Sequence, residues 1–129
     1  MTSKLRRRCR VFVIDHEQIL AEVLAEFLRK NGLEARSFEQ PKEALDASRF
    51  SPPDLLVANV EILPLMAFDL AVRVREYAPG CKVLLFATHA GTNSLLESVR
   101  RARNDFILLF SPVRLSELLE QIYRTIEDA

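Results

Sequence analysis

Residues 10–17 read Arg-Val-Phe-Val-Ile-Asp-His-Glu. Val11 to Ile14 are all β-branched or aromatic, and the run stops at Asp15. A strand with one wet face alternates, whereas an uninterrupted apolar strand is covered on both faces, as in a parallel sheet. Three more runs share this character: Leu55 to Ala58 ending at Asn59, Val83 to Ala87, and Phe106 to Phe110 ending at Ser111. Glu34 to Phe38 alternates instead and reads as an edge strand.

Helical patterns lie between these runs. Ile19, Leu20, Val23, Leu24, Phe27 and Leu28 form a broad apolar stripe opposite Glu17, Glu22, Glu26, Arg29 and Lys30. Acid comes early and base late, which suits the helix dipole, and Asn31-Gly32 marks the end. Pro41 opens a second helix, which runs to about Arg49 and is broken by Ser51-Pro52-Pro53. Beyond a loop with Pro64, a third helix spans Phe68 to Tyr77 and stops at Pro79-Gly80. A fourth starts at about Asn93 and carries Leu95, Leu96, Val99 and Ala102; a fifth places Leu115, Leu118, Leu119, Ile122, Tyr123 and Ile126 on one side.

Such alternation predicts an α/β domain: a five-stranded parallel sheet with helices on both faces. Right-handed crossovers give the flavodoxin-like order 2-1-3-4-5. One domain over residues 1–129 is expected, with residues 1–9 as a basic extension. Ligands of such sheets sit beyond the carboxyl ends of the strands, between the first and the third. Asp15, His16, Asn59, Ala87, Thr88 and Ser111 fall there.

Composition removes several function classes. The 18 Lys and Arg balance the 18 Asp and Glu, so the chain lacks the charge of a nucleic-acid binder. At 49% hydrophobic it is not a disordered chain. Its two cysteines, Cys9 and Cys81, are too few for a disulfide framework and read as inert thiols. No apolar stretch reaches the ~18 residues of a membrane span, and the basic N-terminus lacks a signal-peptide core. A cytoplasmic location is expected. There is no Gly-rich phosphate loop and no nucleophile elbow, so Asp15, His16 and Ser111 do not read as an enzyme's triad. His16 and Asp15 offer too few donors for a specific transition-metal site, and His89 reads as a polar loop residue.

The ordered set Val11 to Glu17, Pro53 to Val60, Val83 to Thr88 and Phe106 to Pro112, with Phe68-Asp69-Leu70, resembles the receiver domain of bacterial two-component response regulators. The resemblance covers about Arg10 to Glu127 and implies the CheY-like form of the flavodoxin-like fold. In that family the first strand ends in two acidic residues that hold Mg²⁺. The third ends in an Asp that accepts a phosphoryl group from a histidine kinase. The fourth ends in Ser or Thr, and the fifth in a Lys before a Pro. Position by position, this chain keeps only the first acid, Asp15. His16 replaces the second acid, Asn59 the acceptor, Ala87 the hydroxyl residue and Ser111 the lysine. Pro64 also falls about one residue late, and Ala67 stands where Gly is usual.

A neutral amide is a poor nucleophile, and Mg²⁺ prefers several carboxylate and water oxygens. No metal or cofactor is therefore expected, with the site closed by hydrogen bonds in one state. The expected function is a stand-alone, degenerate pseudo-receiver: a phosphorylation-independent interaction module in two-component signalling. Its partner would be a signalling protein. By resemblance, the face of the fourth helix, fifth strand and fifth helix can form dimers or output contacts, and Arg100, Arg101, Arg103 and Arg114 mark it here. A merely solvated face accounts for those arginines equally well. Two alternatives stay open: a small-molecule or enzymatic domain using the pocket near Asp15, His16 and Asn59, and a receiver phosphorylated elsewhere, for instance at Asp15.

Overall fold

A computed structural model describes residues 8–62, 65–103 and 105–127. Its strands are β1 (Arg10–Ile14), β2 (Glu34–Phe38), β3 (Leu55–Asn59), β4 (Glu61–Ile62), β5 (Leu65–Met66), β6 (Lys82–Phe86) and β7 (Ile107–Leu109). Its helices are α1 (Gln18–Lys30), α2 (Pro41–Phe50), α3 (Ala67–Tyr77), α4 (Asn93–Ala102) and α5 (Leu115–Glu127). The main sheet is parallel, in the order β2-β1-β3-β6-β7. This is the expected order once β4 and β5 are set aside, since they pair antiparallel with each other outside it. Two-residue strands leave no periodicity, so the sequence shows only a loop there. Pro64 and residues 1–7 of the basic extension lie outside the described residues.

The apolar runs occupy the positions their composition demands. β3 is buried along its whole length, and β1 is buried after Arg10. Their side chains alternate between two cores, because successive strand residues point to opposite faces. Phe12, Ile14, Leu56 and Leu85 meet Leu70, Val74 and Leu96 on one face. Val11, Val13, Leu55, Val57 and Leu84 meet Leu24, Leu28, Leu118 and Ile122 on the other. β2 pairs only with β1, as its alternation predicts for an edge. β7 is shorter than its apolar run: Phe106 and Phe110 flank Ile107–Leu109 instead of extending it.

The stripe on α1 is wider than the face that the sheet covers. Ala21, Leu24, Ala25 and Leu28 are buried. Ile19, Val23 and Phe27 are exposed, at 82%, 50% and 45%. Ala21 and Ala25 share the covered face with Leu24 and Leu28, so the row of Ile19, Val23 and Phe27 lies outside it. The end of α1 follows the sequence reading. Gly32 takes φ +90°, and the N–H groups of Gly32 and Leu33 donate to Arg29 O and Leu28 O at 3.1 Å each. These two bonds satisfy carbonyls that the last turn leaves open.

Candidate functional site

Parallel strands deliver their carboxyl ends to one rim. Asp15 follows β1, Asn59 ends β3, Ala87 and Thr88 follow β6, and Ser111 lies two residues past β7. Asp15 is fully buried, and Asn59 is nearly so. Each uses a side-chain oxygen in the same way. Asp15 Oδ1 accepts the Glu17 N–H at 3.0 Å, and Asn59 Oδ1 accepts the Glu61 N–H at 3.0 Å. These are turns in which an Asx side chain captures the backbone two residues on. The Asn59 Nδ2 donates to Thr88 Oγ1 at 3.2 Å. His16 Nδ1 stands 3.4 Å from Asp15 Oδ1, with its ring half exposed.

The closure by hydrogen bonds that the sequence predicts is incomplete. Asp15 Oδ2 is buried and has no partner among the described residues. Burial pushes the Asp15 carboxyl above the usual carboxylate range. The Glu17 N–H, the neighbouring His16 and the Asn59 amide pull it down without offsetting the loss of water.

That oxygen is the unpaired carboxylate acceptor at the rim, so it tests the Mg²⁺ that the resemblance implies. Mg²⁺ demands near-octahedral oxygen coordination and usually keeps one or two carboxylates with its waters. Here a single carboxyl offers one free oxygen, an imidazole occupies the second acidic position, and Asn59 Oδ1 is a neutral amide oxygen that already accepts the Glu61 N–H. Among the described residues no three His, Cys, Asp or Glu side chains converge on a metal position. The residues present do not fit the ion.

The other positions supply no charge. Ala87 is buried, and its N–H donates to Leu109 O at 3.1 Å. Ser111 is tied through its backbone to Asn93, with Ser111 N–H to Asn93 Oδ1 at 2.8 Å and Asn93 Nδ2 to Ser111 O at 3.1 Å. The structure thus brings Asp15, His16, Asn59 and Thr88 together, and turns Ser111 towards α4. The sequence places Thr88 at the rim without a role and marks Asn93 only as a helix start. No local pattern marks either, because their partners lie 29 and 18 residues away.

The remaining candidates separate. His89 is exposed. Arg100 lies 4.7 Å over the Phe110 ring and 3.6 Å from Glu97, while Arg103 lies 5.8 Å over Phe106. Arg101 and Arg114 are exposed. Neither Cys9 nor Cys81 is in a disulfide; burial pushes the Cys81 thiol up to about 12, which keeps it protonated. No helix among the described residues is long and apolar enough to cross a membrane.

A doubly wound parallel sheet with its polar constellation at the carboxyl rim defines a CheY-like α/β domain. The chain belongs to the response regulator receiver domain family, whose profile matches residues 11–123. It is 30% identical over 112 residues to a response regulator receiver protein of Anaeromyxobacter, covering 86% of this chain and 46% of that protein. It is 26% identical over 97 residues to the probable transcriptional regulatory protein TcrX of Mycobacterium tuberculosis, covering 75% of this chain and 42% of that protein. The chain therefore spans less than half the length of these two relatives. Among solved structures it resembles a CheY-like receiver domain protein of Methanospirillum hungatei, with TM-score 0.79, 19% identity, and 95% and 96% of the two chains covered. It also resembles the non-phosphorylated HemR receiver domain of Leptospira biflexa, with TM-score 0.75, 22% identity, and 92% and 94% covered. Both likenesses concern the fold.

Proposed function

We propose that this receiver domain works in two-component signalling as a protein-interaction module that takes no phosphoryl group at Asn59 and needs no Mg²⁺. The observation that carries this reading is the Asn59 amide. It stands at the end of β3 with its oxygen on Glu61 and its nitrogen on Thr88. Phosphoryl transfer to an acyl oxygen needs a carboxylate nucleophile and cationic help for the moving charge. Asn59 supplies no such nucleophile, and Ala87 and Ser111 no such help. What remains is a surface. The row Ile19, Val23 and Phe27 on α1 is exposed and apolar, and Arg101 on α4 and Arg114 just before α5 are open to solvent. A signalling protein is the partner chemistry that these surfaces suit, and a homodimer through α4, β7 and α5 is the self-associating form.

A second reading has one observation in its favour. The unpaired Asp15 Oδ2 leaves a buried acceptor for a small ligand bearing an N–H or O–H donor.

Intact mass after incubation with acetyl phosphate and Mg²⁺ tests the first reading. Unchanged mass is expected for the wild type. A phosphoryl adduct mapped to residue 59 contradicts the reading, and one mapped to Asp15 replaces it with a receiver phosphorylated at another position. A small-molecule site would instead give saturable chemical-shift changes confined to Asp15, His16, Asn59 and Thr88.

A further inference from the structure

α4 is the helix held least by the core. It buries Leu96 and Val99, whereas α1 and α3 bury four residues each and α2 and α5 three each. Its neighbour β7 has three residues, all half-buried, and pairs on one side only. Elements with few buried anchors open locally at the lowest free energy. Left to its apolar contacts alone, α4 would be the mobile part of this domain.

One contact opposes that tendency. Asn93 is the first residue of α4. Its amide pairs in both directions with one residue of the β7–α5 connection, accepting the Ser111 N–H at 2.8 Å and donating to Ser111 O at 3.1 Å. A side chain that exchanges both bonds with one residue reproduces the hydrogen-bonded pair of an antiparallel ladder. Both bonds are partly shielded from water, where a broken pair costs more than at the surface. Ser111 follows Phe110, whose ring carries the Arg100 guanidinium of α4 at 4.7 Å. The helix is thus tied to the same connection from its first residue and from its eighth.

Ser111 also occupies the position where the resemblance places a lysine. A lysine there would bring a cation to the rim; serine brings none, and its backbone N–H and C=O are both held by Asn93 of α4. We propose that Asn93 is a positioning residue: its amide braces α4 against the β7–α5 connection and sets the α4–β7–α5 surface in one arrangement without a phosphoryl group. This inference rests on the reading that Asn59 takes none.

The test uses the full chain as wild type, Asn93→Ala and Asn93→Asp. The aspartate keeps an acceptor for the Ser111 N–H, loses the donor to Ser111 O, and suits the helix dipole. In Asn93→Ala, amides of residues 94–102 should exchange with solvent roughly tenfold faster, while amides of β1 and β3 stay unchanged. Relaxation dispersion should reveal new microsecond-to-millisecond exchange shared by residues 88–102 and 109–112. Asn93→Asp should fall between the wild type and the alanine variant. Unchanged protection of α4 in Asn93→Ala overturns the proposal, as does a loss spread evenly over β1, β3 and α4, which marks a general stability effect. If Asn93→Ala does not fold, wild-type exchange in Asn93→Asp overturns it. An adduct at residue 59 would remove the functional reading whatever the Asn93 variants show. Unaltered α4 exchange with no adduct removes only the brace.

Discussion

Asp15 uses one carboxyl oxygen on the Glu17 N–H and buries the other without a partner. Its pKa is raised, so the folded chain holds the proton more tightly than the unfolded chain. The contribution of Asp15 to stability is complete below the unfolded pKa and declines as pH rises through the folded pKa. Asp15→Asn should therefore melt higher than the wild type at neutral pH, by about 1 kcal/mol. Melts across acidic to neutral pH check the sign: the gap should widen with pH and then level off. A constant gap would show that ionisation is not the cause. Cys81 gives a second check. With its thiol pushed up to about 12 and its side chain buried, it should resist alkylation at mildly alkaline pH until the protein unfolds, as mass spectrometry of labelled peptides would show. Substitutions such as Asn59 and Ser111 were legible because each ends a readable strand. The unpaired Asp15 Oδ2 was not, since whether a carboxyl finds a second partner depends on atoms from several elements.

α1 shows what periodicity leaves undecided. Its stripe predicted the helix and its cap, yet six apolar positions at that spacing do not say which of them face the sheet. The covered face runs through Ala21 and Ala25 with Leu24 and Leu28, and leaves Ile19, Val23 and Phe27 outside. Two neighbours should therefore respond oppositely in chemical denaturation. Leu24→Ala removes a buried side chain and should cost about 2–5 kcal/mol. Val23→Glu alters an exposed one and should stay within about 0.5 kcal/mol. Equal losses would place Val23 in the core. Gly32→Ala should cost about 1 kcal/mol, because φ +90° strains any residue with a Cβ.

For the molecule as a whole, four apolar runs and one alternating run specified a parallel sheet, its order and the rim where its polar residues gather. The short pair β4–β5 stayed hidden because two residues form no pattern. The staple between Asn93 and Ser111 stayed hidden because it joins the first residue of α4 to a connection 18 residues away, which no periodicity records. At the rim, one carboxyl with a single open oxygen stands where the resemblance places a cluster of acids. A Mg²⁺ titration followed by thermal unfolding tests this most directly, since a ligand that binds only the folded state raises stability by mass action. A site with Kd of ~1 mM would add about 1.4 kcal/mol at ~10 mM Mg²⁺, a rise of roughly 3–6 °C for a domain of this size. No saturable rise is expected for the wild type; a saturable rise of that size that disappears in Asp15→Asn would show a cation held at the rim.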